Sequence, residues 1–296
     1  MHRFCIPLPF GTPATCRWLP LWLAVLALLC GCASVPSPET RAASARTQAQ
    51  QAGLQWALLP TDRPMVAALP TDGEPVQHLV VYLEGDGLAW RTPDWPSDDP
   101  TPTNPLALRL ATHHPSDSPR AWLARPCQYV DAARTGCPVA LWTSARQGRE
   151  ALHLSHQALD EIKRRTGAQT LTLVGHSGGG TLAALLMSER TDVTHLVTVA
   201  GNIDLAHWVA LHRLSPQRDS FDPADRAQAL EGRSQRHLAG GRDPVVPPSV
   251  AQAFANHFPS GLRPVVEVLP SAEHEAGWLP LWQTHGTTWL QPLQRP

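Results

Sequence analysis

The chain has 296 residues, 43% of them hydrophobic and 17% charged, enough apolar material for the core of one large α/β domain and too much for a disordered protein. Its 24 Lys+Arg against 25 Asp+Glu leave a formal net charge of −1, which excludes the basic stripe of a nucleic-acid binder. No internal repeat is visible.

His2, Arg3 and Arg17 precede an apolar run from Trp18 to Leu29, short for a bilayer span and placed where a secretory signal carries its apolar region. The run ends in Leu29-Cys30-Gly31-Cys32, which resembles a bacterial lipobox. That resemblance implies a lipoprotein signal peptide over residues 1–31 and a lipidated, palmitate-bearing Cys32. Several acyl chains on one residue anchor firmly, because a single chain binds only marginally. The implied location is the cell envelope, on the membrane surface. Ala33 resembles the sorting signal for the periplasmic side of the outer membrane, where Asp would favour inner-membrane retention. Residues 32–52 lack apolar periodicity and read as a flexible tether, roughly 25 Å long as a coil. The folded domain is expected over residues 53–296, since no polar linker divides them.

Within that domain Leu79-Val80-Val81-Tyr82-Leu83 reads as a buried strand ending at Glu84-Gly85-Asp86-Gly87. Cys127 and Cys137 are the remaining cysteines after the N-terminal region, and in an oxidising compartment they pair. Closing so short a loop stabilises by about 2.5–3 kcal/mol. The bland alternative is two buried thiols. Zinc is excluded here because further ligands at metal spacing are missing. Residues 147–165 place Leu152, Leu159 and Ile162 at helical spacing before Gly167. A strand follows over 171–174, a helix over 178–190, and strands over 193–200, 236–239 and 265–269. Such alternation predicts an α/β fold, a mostly parallel sheet covered by helices on both faces.

The most specific motif is Gly175-His176-Ser177-Gly178-Gly179, a G-x-S-x-G between a predicted strand and a predicted helix. A hydroxyl held on a strained strand-to-helix turn points into a cleft, and glycines on both sides permit the close backbone approach. The helix N-terminus then offers free N–H groups to a developing anion. A phosphate-cradling loop is the competing reading, but the spacing fits neither G-x-G-x-x-G nor a Walker A.

This segment resembles the nucleophile elbow of the α/β-hydrolase superfamily, and the resemblance extends over residues 75–296, closest to bacterial lipoproteins with such a domain. The family's chain order is Ser, acid, His. Gly240-Gly241-Arg242-Asp243-Pro244-Val245-Val246-Pro247 resembles the segment that supplies the acid, and Leu269-Pro270-Ser271-Ala272-Glu273-His274 the one that supplies the histidine. The resemblance therefore implies Ser177 as nucleophile, His274 as general base and acid, and Asp243 as the carboxylate that fixes the imidazole tautomer. Asp204 is the rival acid and His285 the fallback histidine, while His176 is expected to pack beside the nucleophile. The oxyanion hole is assigned to the backbone N–H groups of Gly178 and Asp86. Glu84 and Asp86 bring carboxylates to a site that must stabilise negative charge. They must turn away or be balanced by a cation such as Arg91 or Arg146.

Trp90 and Trp95 are expected to form an aromatic wall beside that loop. Residues 202–232, after the sixth strand, are expected to form a small cap lined by Trp208, Leu211, Leu214 and Phe221, or else to pack against the core. The function implied is hydrolysis of a small ester or acyl substrate, uncharged rather than phosphorylated, through an acyl-enzyme and with no cofactor or metal. Thioesterase, acyltransferase and peptidase chemistry use the same residues, and a non-catalytic binding module on the same fold is the alternative from another class. His113-His114 as a metal site is rejected, because adjacent residues leave a helix on different sides.

Overall fold

The computed structural model of the protein describes residues 35–71 and 73–293. The signal segment and Cys32 lie outside the described residues. Among the described residues no helix is long and apolar enough to cross a membrane.

Eight strands form the central sheet: β1 (Leu54–Leu59), β2 (Met65–Pro70), β3 (His78–Leu83), β6 (Arg120–Leu123), β7 (Thr170–His176), β8 (Val193–Val199), β9 (Ser234–Gly240) and β10 (Val265–Leu269). Their order across the sheet is β1-β2-β6-β3-β7-β8-β9-β10. The pairings β1–β2 and β2–β6 are antiparallel and the other five are parallel. A separate antiparallel hairpin, β4 (Trp90–Thr92) with β5 (Trp95–Pro96), follows β3 in the chain and stands outside the central sheet.

Strand β3 shows how the sequence specifies two covered faces. Leu79, Val81 and Leu83 join the core on one side, and Val80 and Tyr82 the core on the other, as period-two alternation requires. The first side is filled by α3 (Arg149–Thr166), α4 (Gly178–Glu189) and α7 (Pro248–Asn256), through Leu159, Ile162, Leu185 and Phe254. The second is filled by α2 (Leu106–Thr112) and α8 (Trp278–Trp289), through Leu108, Trp278, Trp282 and Trp289. Two short helices, α5 (Leu205–His212) and α6 (Ala227–Leu230), lie between β8 and β9. The α/β-hydrolase expectation of a mostly parallel, helix-covered sheet is met.

The tether expected over residues 32–52 needs correction. Residues Pro38–Gln51 form α1, capped by the Ser37 side chain and with Pro38 in its first turn. Arg41, Ala45 and Ala49 repeat every four residues and are buried against the second face. Methyl groups make this stripe, so it carries almost no hydrophobic contrast in the sequence. Arg41 donates to the Thr101 carbonyl and reaches Asp99 Oδ1 at 3.5 Å, which ties the helix to the loop beside β3.

Cys127 and Cys137 are disulfide-bonded, with Cα atoms 5.9 Å apart. The bridge closes residues 127–137, a loop that follows β6 and holds Gln128; Gln128 and Arg125, two residues before the bridge, both reach the site described next.

Candidate active site

Strand β7 runs directly into Ser177, and α4 starts one residue later. Ser177 has φ 52° and ψ −123°, a conformation that costs a non-glycine residue on the order of 1–3 kcal/mol. The surroundings hold it there: Ser177 N donates to Val199 O at 3.0 Å, and Ser177 O accepts from Gly180 N at 2.9 Å and Asn202 N at 3.2 Å. A Cβ on Gly175 would collide with the backbone of Gly179, and one on Gly179 with the carbonyls of Leu83 and Glu84. Both flanking glycines are thus required by contact between β7, α4 and the end of β3.

Asp243 follows β9 in a tight turn. Its Oδ1 accepts from the N–H groups of Val245 at 2.7 Å and Val246 at 2.8 Å, which leaves Oδ2 for His274 Nδ1 at 2.8 Å. The carboxylate is fully shielded from solvent. His274 follows β10, and the two loops are stitched together by Gly241 N to Leu269 O and Arg242 N to Ala272 O. Its Nε2 lies 3.1 Å from Ser177 Oγ. With Nδ1–H given to the carboxylate, Nε2 presents a lone pair to the hydroxyl, which is the tautomer a base requires. The structure therefore brings Ser177, Asp243 and His274 together from three strand ends.

The alternatives do not reach this point. Asp204 caps α5 through His207 N and meets His257 Nε2 at 3.1 Å. His285 is exposed on α8, its ring beside Trp289. His114 bonds the Tyr82 hydroxyl at 2.6 Å and Ser118 at 2.7 Å, and burial lowers its pKa to about 4. Among the described residues there is no cluster of His, Cys, Asp or Glu able to hold a metal. His176 packs beside the nucleophile as expected: its Nε2–H donates to the His274 carbonyl at 3.1 Å, and its Nδ1 faces Gly85. Burial, then the neighbouring His274, pushes its pKa down to about 3, so it stays neutral and supports the loops on either side.

The loop after β3 resolves the charge problem in two ways. Glu84 turns inward, where its carboxylate accepts from Gly85 N, Ala107 N, Leu108 N and Trp122 Nε1 at 3.0–3.3 Å. Burial still raises its carboxyl above the usual range. Asp86 lies instead against the Cα of Gly178 and is balanced by cations, with Arg125 Nη1 at 3.0 Å and Arg146 Nε at 3.1 Å. Arg146 was an anticipated partner. Arg91 is not one, because it pairs with exposed Asp98. Arg125 was missed: it follows β6, distant in sequence from the elbow, and no local pattern marks it. The backbone N–H groups of Asp86 and Gly178 donate to no protein acceptor among the described residues, as oxyanion donors must.

These parts line a cleft of about 420 Å³, with Ser177 and His274 among its walls. Trp90, Trp208 and Val245 supply apolar surface, while Arg146 and Asn202 are polar. The expected aromatic features are partly corrected. Trp90 faces the cleft, but Trp95 is 65% exposed and lies outside it. Of the proposed cap lining, Trp208 alone faces the cleft, anchored by its Nε1 on Val245 O at 2.7 Å. Leu211 and Leu214 face solvent, and Phe221 packs on the first core.

No protein-family model matches the sequence, and no curated protein matches it. Solved structures do match. An acylaminoacyl peptidase from Pyrococcus horikoshii superposes with a TM-score of 0.57 at 10% identity, over 82% of this chain and 42% of that one. The chain thus spans less than half the length of that peptidase. An esterase from Pyrococcus furiosus gives 0.52 at 11% identity, over 80% and 88%. A protein of unknown function from Agrobacterium tumefaciens, described as an α/β hydrolase, gives 0.56 at 13% identity, over 82% and 100%. The chain has the α/β-hydrolase fold.

Proposed function

We propose that this protein is a serine hydrolase of carboxylic esters. The observation that carries the reading is the continuous path from Asp243 through His274 to Ser177 Oγ, with contacts of 2.8 Å and 3.1 Å, opening on the cleft. A free serine hydroxyl is a weak nucleophile at neutral pH. As Oγ attacks the ester carbonyl, its proton passes to His274 Nε2, and Asp243 stabilises the resulting imidazolium. The tetrahedral oxyanion is received by the N–H groups of Gly178 and Asp86. His274 then returns the proton to the departing alcohol, leaving an acyl group on Ser177. Water, activated by the same histidine, attacks the acyl carbonyl and releases the acid.

We further propose that Cys32 is lipidated and holds the enzyme at the periplasmic side of the outer membrane. This rests on the lipobox-like Leu29-Cys30-Gly31-Cys32 and on Ala33. In cells fed labelled palmitate, the wild type should take up label and a Cys32→Ala variant should not.

Hydrolysis of p-nitrophenyl esters from short to long acyl chains tests the enzymatic reading. Turnover that vanishes in Ser177→Ala is expected. A folded protein that cleaves no member of the series would contradict it and leave a binding module on this fold.

A further inference from the structure

Resting on the hydrolase reading, we propose that Arg146 is the specificity residue of the cleft, and that the substrate is an ester carrying a second acid group as a free carboxylate.

Arg146 lies on the loop before α3 and lines the same cleft as Ser177. Its side chain is 9% exposed, so nine-tenths of it is withdrawn from water. Its Nε sits 3.1 Å from Asp86 Oδ2 as an ion pair but makes no hydrogen bond. Of its nitrogens only Nε is both buried and unpartnered, while Nη1 and Nη2 donate to no protein acceptor among the described residues and stay open to the cleft. A guanidinium has five N–H donors, so the four on Nη1 and Nη2 remain available to an acceptor in the cleft.

The neighbouring Arg125 shares the unpartnered Nε but differs at its Nη atoms. Its Nη1 donates to Asp86 Oδ1 at 3.0 Å and its Nη2 to the carbonyl of Arg146, so it is committed to the fold. Arg146 is held in place from both sides, by Asp86 and by the ring of Trp208, 5.9 Å from its Cζ. Trp208 is itself fixed by Val245 O. The result is a rigid cation with its donors unassigned, facing the space beside the nucleophile.

Charge narrows the ligand. Two guanidinia share the single carboxylate of Asp86, which leaves one positive unit. Glu84 is turned away with its oxygens occupied, and Glu275 is exposed and tied to Asn104 at 2.9 Å. One unit suits a monoanion. A dianionic phosphate would exceed it and face Asp86. A carboxylate also matches the planar guanidinium fork. The cleft volume of about 420 Å³ lies at the small end for ligand sites and suits a short diacid rather than a long acyl chain. The expectation of an uncharged substrate, drawn from the tryptophans, is replaced by this reading.

The test compares p-nitrophenyl hemiglutarate with p-nitrophenyl valerate, equal in chain length, after subtracting spontaneous hydrolysis. In the wild type kcat/KM should favour the hemiglutarate by about tenfold or more, the scale of a charge-assisted hydrogen bond. Arg146→Gln should erase the preference mainly through KM, and Arg146→Lys should restore part of it. Equal or better use of valerate by the wild type, or a preference untouched by Arg146→Gln, overturns the proposal. If neither ester is cleaved, the hydrolase reading fails by itself. Calorimetry with monomethyl glutarate then decides the anion site: binding lost in Arg146→Gln upholds it, and no binding to the wild type overturns it.

Discussion

From β7 to β10 each reactive side chain stands on a loop leaving the carboxyl end of a parallel strand and is fixed by nearby backbone groups. Asp243 is held by the N–H groups two and three residues on, and Ser177 by Val199, Gly180 and Asn202. From α1 to β6 the loops around the site are fixed by charges buried across long sequence separations. Glu84 is caged by four donors, Asp86 lies between Arg125 and Arg146, and Arg41 reaches Thr101 and Asp99. One half of the site is built from turn chemistry and the other from compensated ions. The first should therefore tolerate changes of charge that conserve hydrogen bonding, and the second should not.

Asp243→Asn probes the first half and carries the largest expected effect. The amide oxygen can still accept from Val245 and Val246, so the fold should persist, while kcat falls by about 10⁴ because the imidazole tautomer is no longer fixed. Steady-state kinetics beside an unchanged urea midpoint would bear this out. Loss of the fold would mean that this half depends on charge as well.

Asp86→Asn is the matching change in the other half. It leaves two buried guanidinia without an anion, and stability should fall by about 2–3 kcal/mol, read from urea unfolding. A change within a few tenths of a kcal/mol would mean that the two halves do not differ in this way. The double variant Cys127→Ser, Cys137→Ser frees the loop that begins two residues after Arg125, and a loss of about 2.5 kcal/mol is expected from loop closure.

Acid should weaken the fold through its buried histidines. His176 and His237 are buried, and burial holds both pKa values down to about 3. Between there and about pH 6.5 the unfolded chain binds protons that the folded chain refuses, so stability falls as pH is lowered through that window. Urea midpoints measured from pH 7 down to pH 4.5 should decline, with a shallower slope in His237→Gln.

The same contrast governs what could be read from the sequence. Ser177, Asp243 and His274 each follow a run of Val, Leu or Ala that ends in glycine or proline, so strand, turn and reactive residue lie within ten residues of one another. Glu84 and Asp86 could be flagged as a charge problem, yet Arg125 could not, since only the pairing of β6 beside β3 brings it near. Helix α1 escaped because alanine and one buried arginine make its inner stripe. The expected cap lining failed for a related reason. Trp208, Leu211 and Leu214 are equally apolar in the sequence, and only the placement of α5 and of the residues just after it turns the first inward and the others to water.

Catalysis at this site requires Ser177 Oγ to be an activated nucleophile. Treating the intact protein with a fluorophosphonate and mapping the adduct by mass spectrometry tests this directly. One adduct per chain on Ser177, absent from both Ser177→Ala and His274→Ala, is the predicted result. A correctly folded wild type that remains unlabelled, or label that persists in Ser177→Ala, would contradict it.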